Sequence, residues 1–255
     1  MTDSALTNHG VAQIECLARY FDGRGVTFTR VFSSPLQRAR VTANSLRTRA
    51  HASNLVDGRE DTCQPTVVSD LREKGFGSFE GKPFFRSQSA AGGNRSGLAK
   101  AETRASLVAR SARFFENYLV PLLSSDEADT EVIAVVAHGV ILSYLFDTFL
   151  RFCRYRSPTL GPRTGSGSRP TWSNTGYLEL DIFPAPLDPN PGAIPLGQDQ
   201  LLRMTVLTHN GQEHLKGLKR TRGGVGSSKH DAKQRKLDSF FKASQQGRRQ
   251  ASNIL

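Results

Sequence analysis

The chain has 255 residues and a net charge of +11, with 34 Lys and Arg against 23 Asp and Glu, enough for one α/β domain with a proper core. No apolar run approaches the ~20 residues of a membrane span, and MTDSALTNHG has neither the basic start nor the apolar centre of a signal peptide, so an intracellular, nuclear and/or cytoplasmic protein without membrane contact is expected. Cys16, Cys63 and Cys153 are odd in number and lack CxxC spacing, which argues against a disulfide framework or a zinc site, and no cofactor or metal is expected.

In chain order, Leu6 to Tyr20 carries an apolar stripe through Val11, Ile14, Leu17 and Ala18 and predicts an amphipathic helix. Val31 and Phe32 end a short strand. Ser33-Ser34-Pro35 then opens a second helix, a serine being a preferred cap and proline fitting the first turn; Arg38 falls in that first turn. Thr66 to Ser69 reads as a third short element, a strand, followed by the Gly-punctuated loop LREKGFGSFEG with Glu73 and Glu80. Ala101 to Leu123 predicts one long helix.

The stretch Glu131 to Leu150 organises the rest. VIAVVA is an apolar run rich in β-branched residues, the pattern of a strand buried on both faces of a parallel sheet. His138 and Gly139 follow at once, and Leu142, Leu145, Phe146 and Phe149 then repeat at helical spacing. This places His138 at the carboxyl end of a strand and the start of a helix, the edge where open α/β sheets bind ligands and where free N–H groups favour an anion. Taken alone, the same pattern also suits a histidine that only hydrogen-bonds within its turn. Arg154 to Pro170 and Phe183 to Gln198 read as Pro/Gly-rich loops, the second joining TGYLELDI to LLRMTVLT as a hairpin pair.

Charge is uneven. Between Glu213 and Gln250 eleven basic residues face three acidic ones, with few apolar side chains, the composition of a segment that does not fold alone. The domain boundary is therefore drawn near Asn210, giving a domain over 1–210 and a disordered basic tail over 211–255.

LTNHGVAQ, FSSPLQRARVTA, LREKGFGSFEG and VVAHG, in this order, resemble the motifs of the histidine phosphatase superfamily, the phosphoglycerate mutase-like fold. The resemblance runs from about Asp3 to Leu180 and includes SNTGY. It implies a three-layer α/β/α domain with a mostly parallel central sheet, a phosphorylated substrate, and a phosphate pocket at the sheet's carboxyl edge. By motif, Arg38 would clamp the phosphoryl group in bidentate fashion, His138 would stabilise its charge and Glu73 would protonate the leaving oxygen. Ser34, Gly139 and Asn174 would add substrate contacts. Without the shared order of motifs, Arg38 would read as a solvated helix residue and Glu73 as a surface carboxylate.

One departure matters. The family's nucleophile is a histidine in an Arg-His-Gly motif ending a strand upstream of the LTxxG helix, a strand that lies beside the one placed here at Ile133 to Ala137; the sequence begins almost at that helix. His9 sits at a variable position inside LTxxG and reads as a helix-start residue rather than a nucleophile. The expectation is that this chain does not turn over by the family mechanism and that the Ile133–Ala137 strand keeps an open edge. Two readings stand open: a phosphomonoester hydrolase or mutase-like enzyme whose amino-terminal strand is missing from this sequence, so that the 1–210 domain is N-terminally truncated, and a catalytically inactive phosphate-pocket adaptor.

In the tail, Gln234-Arg235-Lys236-Leu237-Asp238-Ser239-Phe240-Phe241 resembles QxxLxxFF, the PIP box that binds the DNA sliding clamp. Leu237, Phe240 and Phe241 share one side of a helical turn and form an apolar plug, while Gln234 supplies a polar anchor. The basic flanks would assist encounter with an acidic surface and also suit weak nucleic-acid contact or nuclear import.

Overall fold

The computed structural model describes residues 3–52, 64–80, 100–125, 131–156, 170–184, 202–219 and 224–231. Gln234, Leu237, Phe240 and Phe241, expected to bind the clamp, and the segment 87–98 lie outside the described residues.

Helix α1 (Asn8–Gly23) starts where Thr7 caps it, the Thr7 Oγ1 accepting from Gly10 N at 3.1 Å, and it buries the expected Ile14, Leu17 and Ala18. It ends before a tight turn in which Gly25 takes a φ of +68°, a conformation open to glycine. Strand β1 (Arg30–Ser33) leads to α2 (Gln37–Ala52), and β2 (Thr66–Val67) is followed by a 3₁₀ turn at Ser69–Leu71. The strand expected through Ser69 stops early because the Arg110 guanidinium binds the carbonyls of Asp70 and Arg72, both at 2.6 Å, and bends the chain.

The single helix expected over Ala101 to Leu123 is α3 (Arg104–Phe114), a π turn over Phe115–Leu119, and α4 (Val120–Leu123). Pro121 has no N–H and its ring crowds the carbonyl four residues back, so the helix widens just before it. Strand β3 (Ile133–Val136) passes into α5 (Gly139–Phe152), as its apolar run and helical spacing predict. Where a loop is expected from Arg154, the chain instead continues directly from α5 into β4 (Cys153–Arg156), which pairs in parallel with β6 (Leu202–Gly211). That partner is about fifty residues away in sequence, so no local pattern announces it. The expected hairpin pair is β5 (Tyr177–Pro184) against β6, antiparallel.

The described strands form two sheets, β2-β1-β3, wholly parallel, and β4-β6-β5, mixed. Alternation along the first sheet explains its layers. Val31 and Ala134 join Leu17 of α1 and Ala43 and Leu46 of α2 on one face, with Val136 packed against them. Phe32 goes to the other face with Phe114 and Phe115 and with Leu145, Phe146 and Phe149 of α5, joined by Ile133 and Val135. The second sheet enters this same core through Met204, Val206, Leu178 and Leu180. Among the described residues β3 pairs along one edge only, with β1.

The boundary drawn near Asn210 moves outward. Strand β6 runs to Gly211, His214 is buried against the rings of Tyr20 and Tyr177 at 6.0 and 6.1 Å, and residues 228–230 pair with the start of α1. Asn8 N donates to Ser228 O at 3.1 Å, His230 N donates to Leu6 O at 2.9 Å, and Thr7 and Lys229 form an antiparallel bridge. Composition averaged over the basic tail hides these few anchors, because they draw their partners from α1 and β5. No helix of the described residues is long and apolar enough to cross a membrane.

Candidate phosphate-binding site

Parallel pairing sets the site. Ser33 stands opposite both Val136 and Val67, so β1, β2 and β3 end at the same edge of their sheet. Their continuations bring Ser34, Glu73 and His138 out on that edge, and α2 brings Arg38 one turn later.

His138 is the N-cap of α5 in extended conformation (φ −133°, ψ 159°), and its side chain makes no capping bond to the helix. The ring is therefore free to face α2. Arg38 Nε donates to His138 Nδ1 at 3.2 Å, and the other ring nitrogen, Nε2, lies 2.8 Å from Ser34 Oγ. Because arginine only donates, Nδ1 must accept; the neutral ring then carries its hydrogen on Nε2 and donates it to Ser34. Ser34 Oγ also accepts from Leu36 N at 3.3 Å, which holds the serine at the mouth of α2. Burial pushes the His138 pKa down to about 4, aided by the positive charges of Arg38 and Arg110 and opposed by Asp3. The cluster thus holds a neutral imidazole between a guanidinium and a buried hydroxyl. Among the described residues the guanidinium has no hydrogen-bond partner besides His138.

Sequence reasoning missed Asp3. Its two carboxylate oxygens accept from Gln37 N at 3.0 and 3.1 Å, so the first turn of α2, beside Arg38, already faces a negative group. Trp172 was missed as well. It packs over the start of α5, its Cβ 3.5 Å from where a Cβ on Gly139 would be, and its Nε1 donates to Ser143 Oγ at 2.9 Å. Neither residue carries a local signal, since each reaches the site from a distant segment.

Among the described residues, the other expected members make no hydrogen bond to the Arg38–His138 pair. Asn174 is exposed in a turn at 173–176, where Gly176 is required because a Cβ there would fall 2.2 Å from Asn210 Oδ1. No described hydrogen bond joins Asn174 to the Arg38–His138 pair. Glu73 is half-buried, and its Oε1 accepts from Lys74 N at 2.8 Å, in a loop that leaves the same sheet edge. Glu80 folds back on its own loop, accepting from Phe76 N at 2.7 Å. Among the described residues no group of three His, Cys, Asp or Glu could hold a metal ion.

The profile of the histidine phosphatase superfamily, branch 1, matches residues 1–177. The chain belongs to this superfamily. Several solved structures share the fold. A mycobacterial glucosyl-3-phosphoglycerate phosphatase in complex with inorganic phosphate is 20% identical over 83% of this chain and 90% of that one, with a TM-score of 0.53. The same phosphatase complexed with VO3 is 20% identical over 82% and 88%, at 0.51, and mycobacterial hydrolase 2 is 19% identical over 96% and 87%, at 0.50. At such identities the likeness speaks for the histidine phosphatase fold alone. No curated protein is a significant match by sequence.

Proposed function

We propose that this histidine phosphatase superfamily chain binds phosphomonoesters at the Ser34–Arg38–His138 cluster and hydrolyses them. One observation carries the reading: a guanidinium, an Nε2-protonated imidazole and a hydroxyl meet within hydrogen-bond distance at the carboxyl edge of a parallel sheet. Arg38 clamps two phosphoryl oxygens, and His138 turns its Nε2–H from Ser34 to a third, stabilising charge as it spreads in the loose transition state. Ser34 and the Gly139 end of α5 complete the substrate contacts. Glu73 delivers a proton to the leaving oxygen as the P–O bond breaks and its electron pair stays with that oxygen. Water attacks phosphorus directly, without the family's phosphohistidine, and the proton it loses returns to Glu73, so ester and water become alcohol and inorganic phosphate.

The tail would bring this activity to the DNA sliding clamp through Gln234, Leu237, Phe240 and Phe241, which suits the expected nuclear and/or cytoplasmic location. A second reading, a phosphate-binding adaptor on the clamp without turnover, is favoured by a specific feature: among the described residues, His138 is the only imidazole in the cluster. A phosphohistidine intermediate needs a second one in line with the leaving group.

The test combines binding of inorganic phosphate with hydrolysis of an aryl phosphate by the full chain. Turnover that falls about 10²- to 10³-fold in Arg38→Ala is the expected result. Phosphate binding without turnover favours the adaptor; no binding at millimolar phosphate overturns both.

A further inference from the structure

Arg110 is 1% exposed, a position where an arginine has to find partners for nearly every donor. It does. Nε and Nη2 grip the Glu102 carboxylate at 2.8 and 3.1 Å, and Nη1 reaches the carbonyls of Asp70 and Arg72 at 2.6 Å each. Glu102 holds the far end of the same loop: its Oε2 accepts from Gly75 N at 3.1 Å, and its own N–H donates to Gly75 O at 2.7 Å. Ser106 Oγ adds a bond to Glu102 Oε1 at 2.8 Å. Burial works to raise the Glu102 pKa, but the bonds from Arg110, Gly75 and Ser106 and the Arg110 charge outweigh it and hold the carboxyl at about 2, ionised at any working pH.

The bonds have a pattern. They fall on residues 70, 72 and 75 and bracket Glu73, whose carboxylate neither partner touches; its one described bond is to the adjacent Lys74 N. The backbone is pinned on both sides while the side chain at the centre is left for other work. A pair serving stability alone has no need of this arrangement, since apolar residues of similar volume stabilise as well as a buried ion pair or better. The loop also rises from the sheet edge that carries His138.

We infer that Arg110 and Glu102 are positioning residues for Glu73: a buried ion pair on α3 and its lead-in that sets where the general acid meets the leaving oxygen. This rests on the hydrolase reading above and goes beyond it by assigning the acid's placement to two residues outside the phosphate cluster.

Leaving-group dependence separates the possibilities. An alkyl phosphate needs a proton on its departing oxygen, whereas 2,4-dinitrophenyl phosphate does not. In the full-length protein Arg110→Lys, which keeps the charge and loses the fork, should lower kcat for the alkyl ester about 10²-fold and change kcat for the dinitrophenyl ester by about threefold or less. Glu73→Gln should show the same split, and the double variant should be no slower than Glu73→Gln alone. Glu102→Gln, nearly isosteric, repeats the test should Arg110→Lys fail to fold. Equal loss on both esters would overturn the inference and make the pair a support of the fold or the phosphate pocket. A wild-type chain inactive on both would overturn the hydrolase reading itself, and the acid role with it.

Discussion

At the scale of single residues, His138 shows how burial and neighbouring charges decide a protonation state. The folded protein holds it neutral down to about pH 4, against an ordinary value of 6.5. Between those values the unfolded chain binds a proton that the folded chain refuses. Stability is therefore unaffected by this group above pH 6.5 and is lost as pH falls from 6.5 toward 4, by about 1.4 kcal/mol per pH unit at the steepest. Burial pushes the His214 pKa down too, and adds loss in the same direction. Urea unfolding between pH 7.5 and 4.5 should show this decline, and His138→Asn should flatten it by close to one proton. An unchanged slope in that variant would mean His138 is solvated.

At the scale of elements, the segment that follows β6 behaves as a strap across α1. Its anchors are the buried His214, the Tyr20–Tyr177 hydroxyl contact at 2.8 Å that it covers, with Glu213 accepting from Tyr177 at 3.4 Å, and the bridge of residues 228–230 to residues 6–8. Each net hydrogen bond contributes about 1 kcal/mol and the buried ring somewhat more. Ending the chain after Asp231 should leave the melting temperature within about 2 °C of the full chain, while ending it after Gly211 should lower it by roughly 5 °C or more, read by calorimetry. Equal melting points for the two truncations would show that the strap adds nothing. The Thr7 cap is a smaller device of the same kind: Thr7→Ala should cost about 1 kcal/mol in chemical denaturation.

At the scale of the whole molecule, the proposed clamp-binding motif begins three residues past Asp231, where the strap leaves the start of α1. A peptide over 229–245 holds the glutamine, the leucine and both phenylalanines. It must lose chain freedom on docking, so the expected affinity is near micromolar, about −8 kcal/mol. Burying each phenylalanine contributes roughly 1.5–3 kcal/mol, so replacing Phe240 and Phe241 together by alanine should remove most of the binding in titration calorimetry with purified clamp. Lys242→Ala should mainly slow association. Equal affinity of wild-type and double-alanine peptides would reduce the tail to a generic basic segment.

Much of the framework was legible in the order of residues, because it rests on periodicity and local caps. The stripe of α1, the β-branched run of β3 and the helical spacing of α5 each state their own structure, and the adjacency of strand, His138 and helix by itself marks a candidate at a sheet edge. Tertiary structure decided what depends on partners far apart in the chain. The parallel register of β1 and β3 brought Arg38 to His138 across a hundred residues and fixed which ring nitrogen carries the hydrogen. The Arg110 fork cut β2 short, β4 found its partner in β6, and Asp3 and Trp172 reached the site from opposite ends of the domain. A local pattern encodes which face of an element is apolar, but hydrogen bonds and buried charges between distant segments exist only once the core has closed around them.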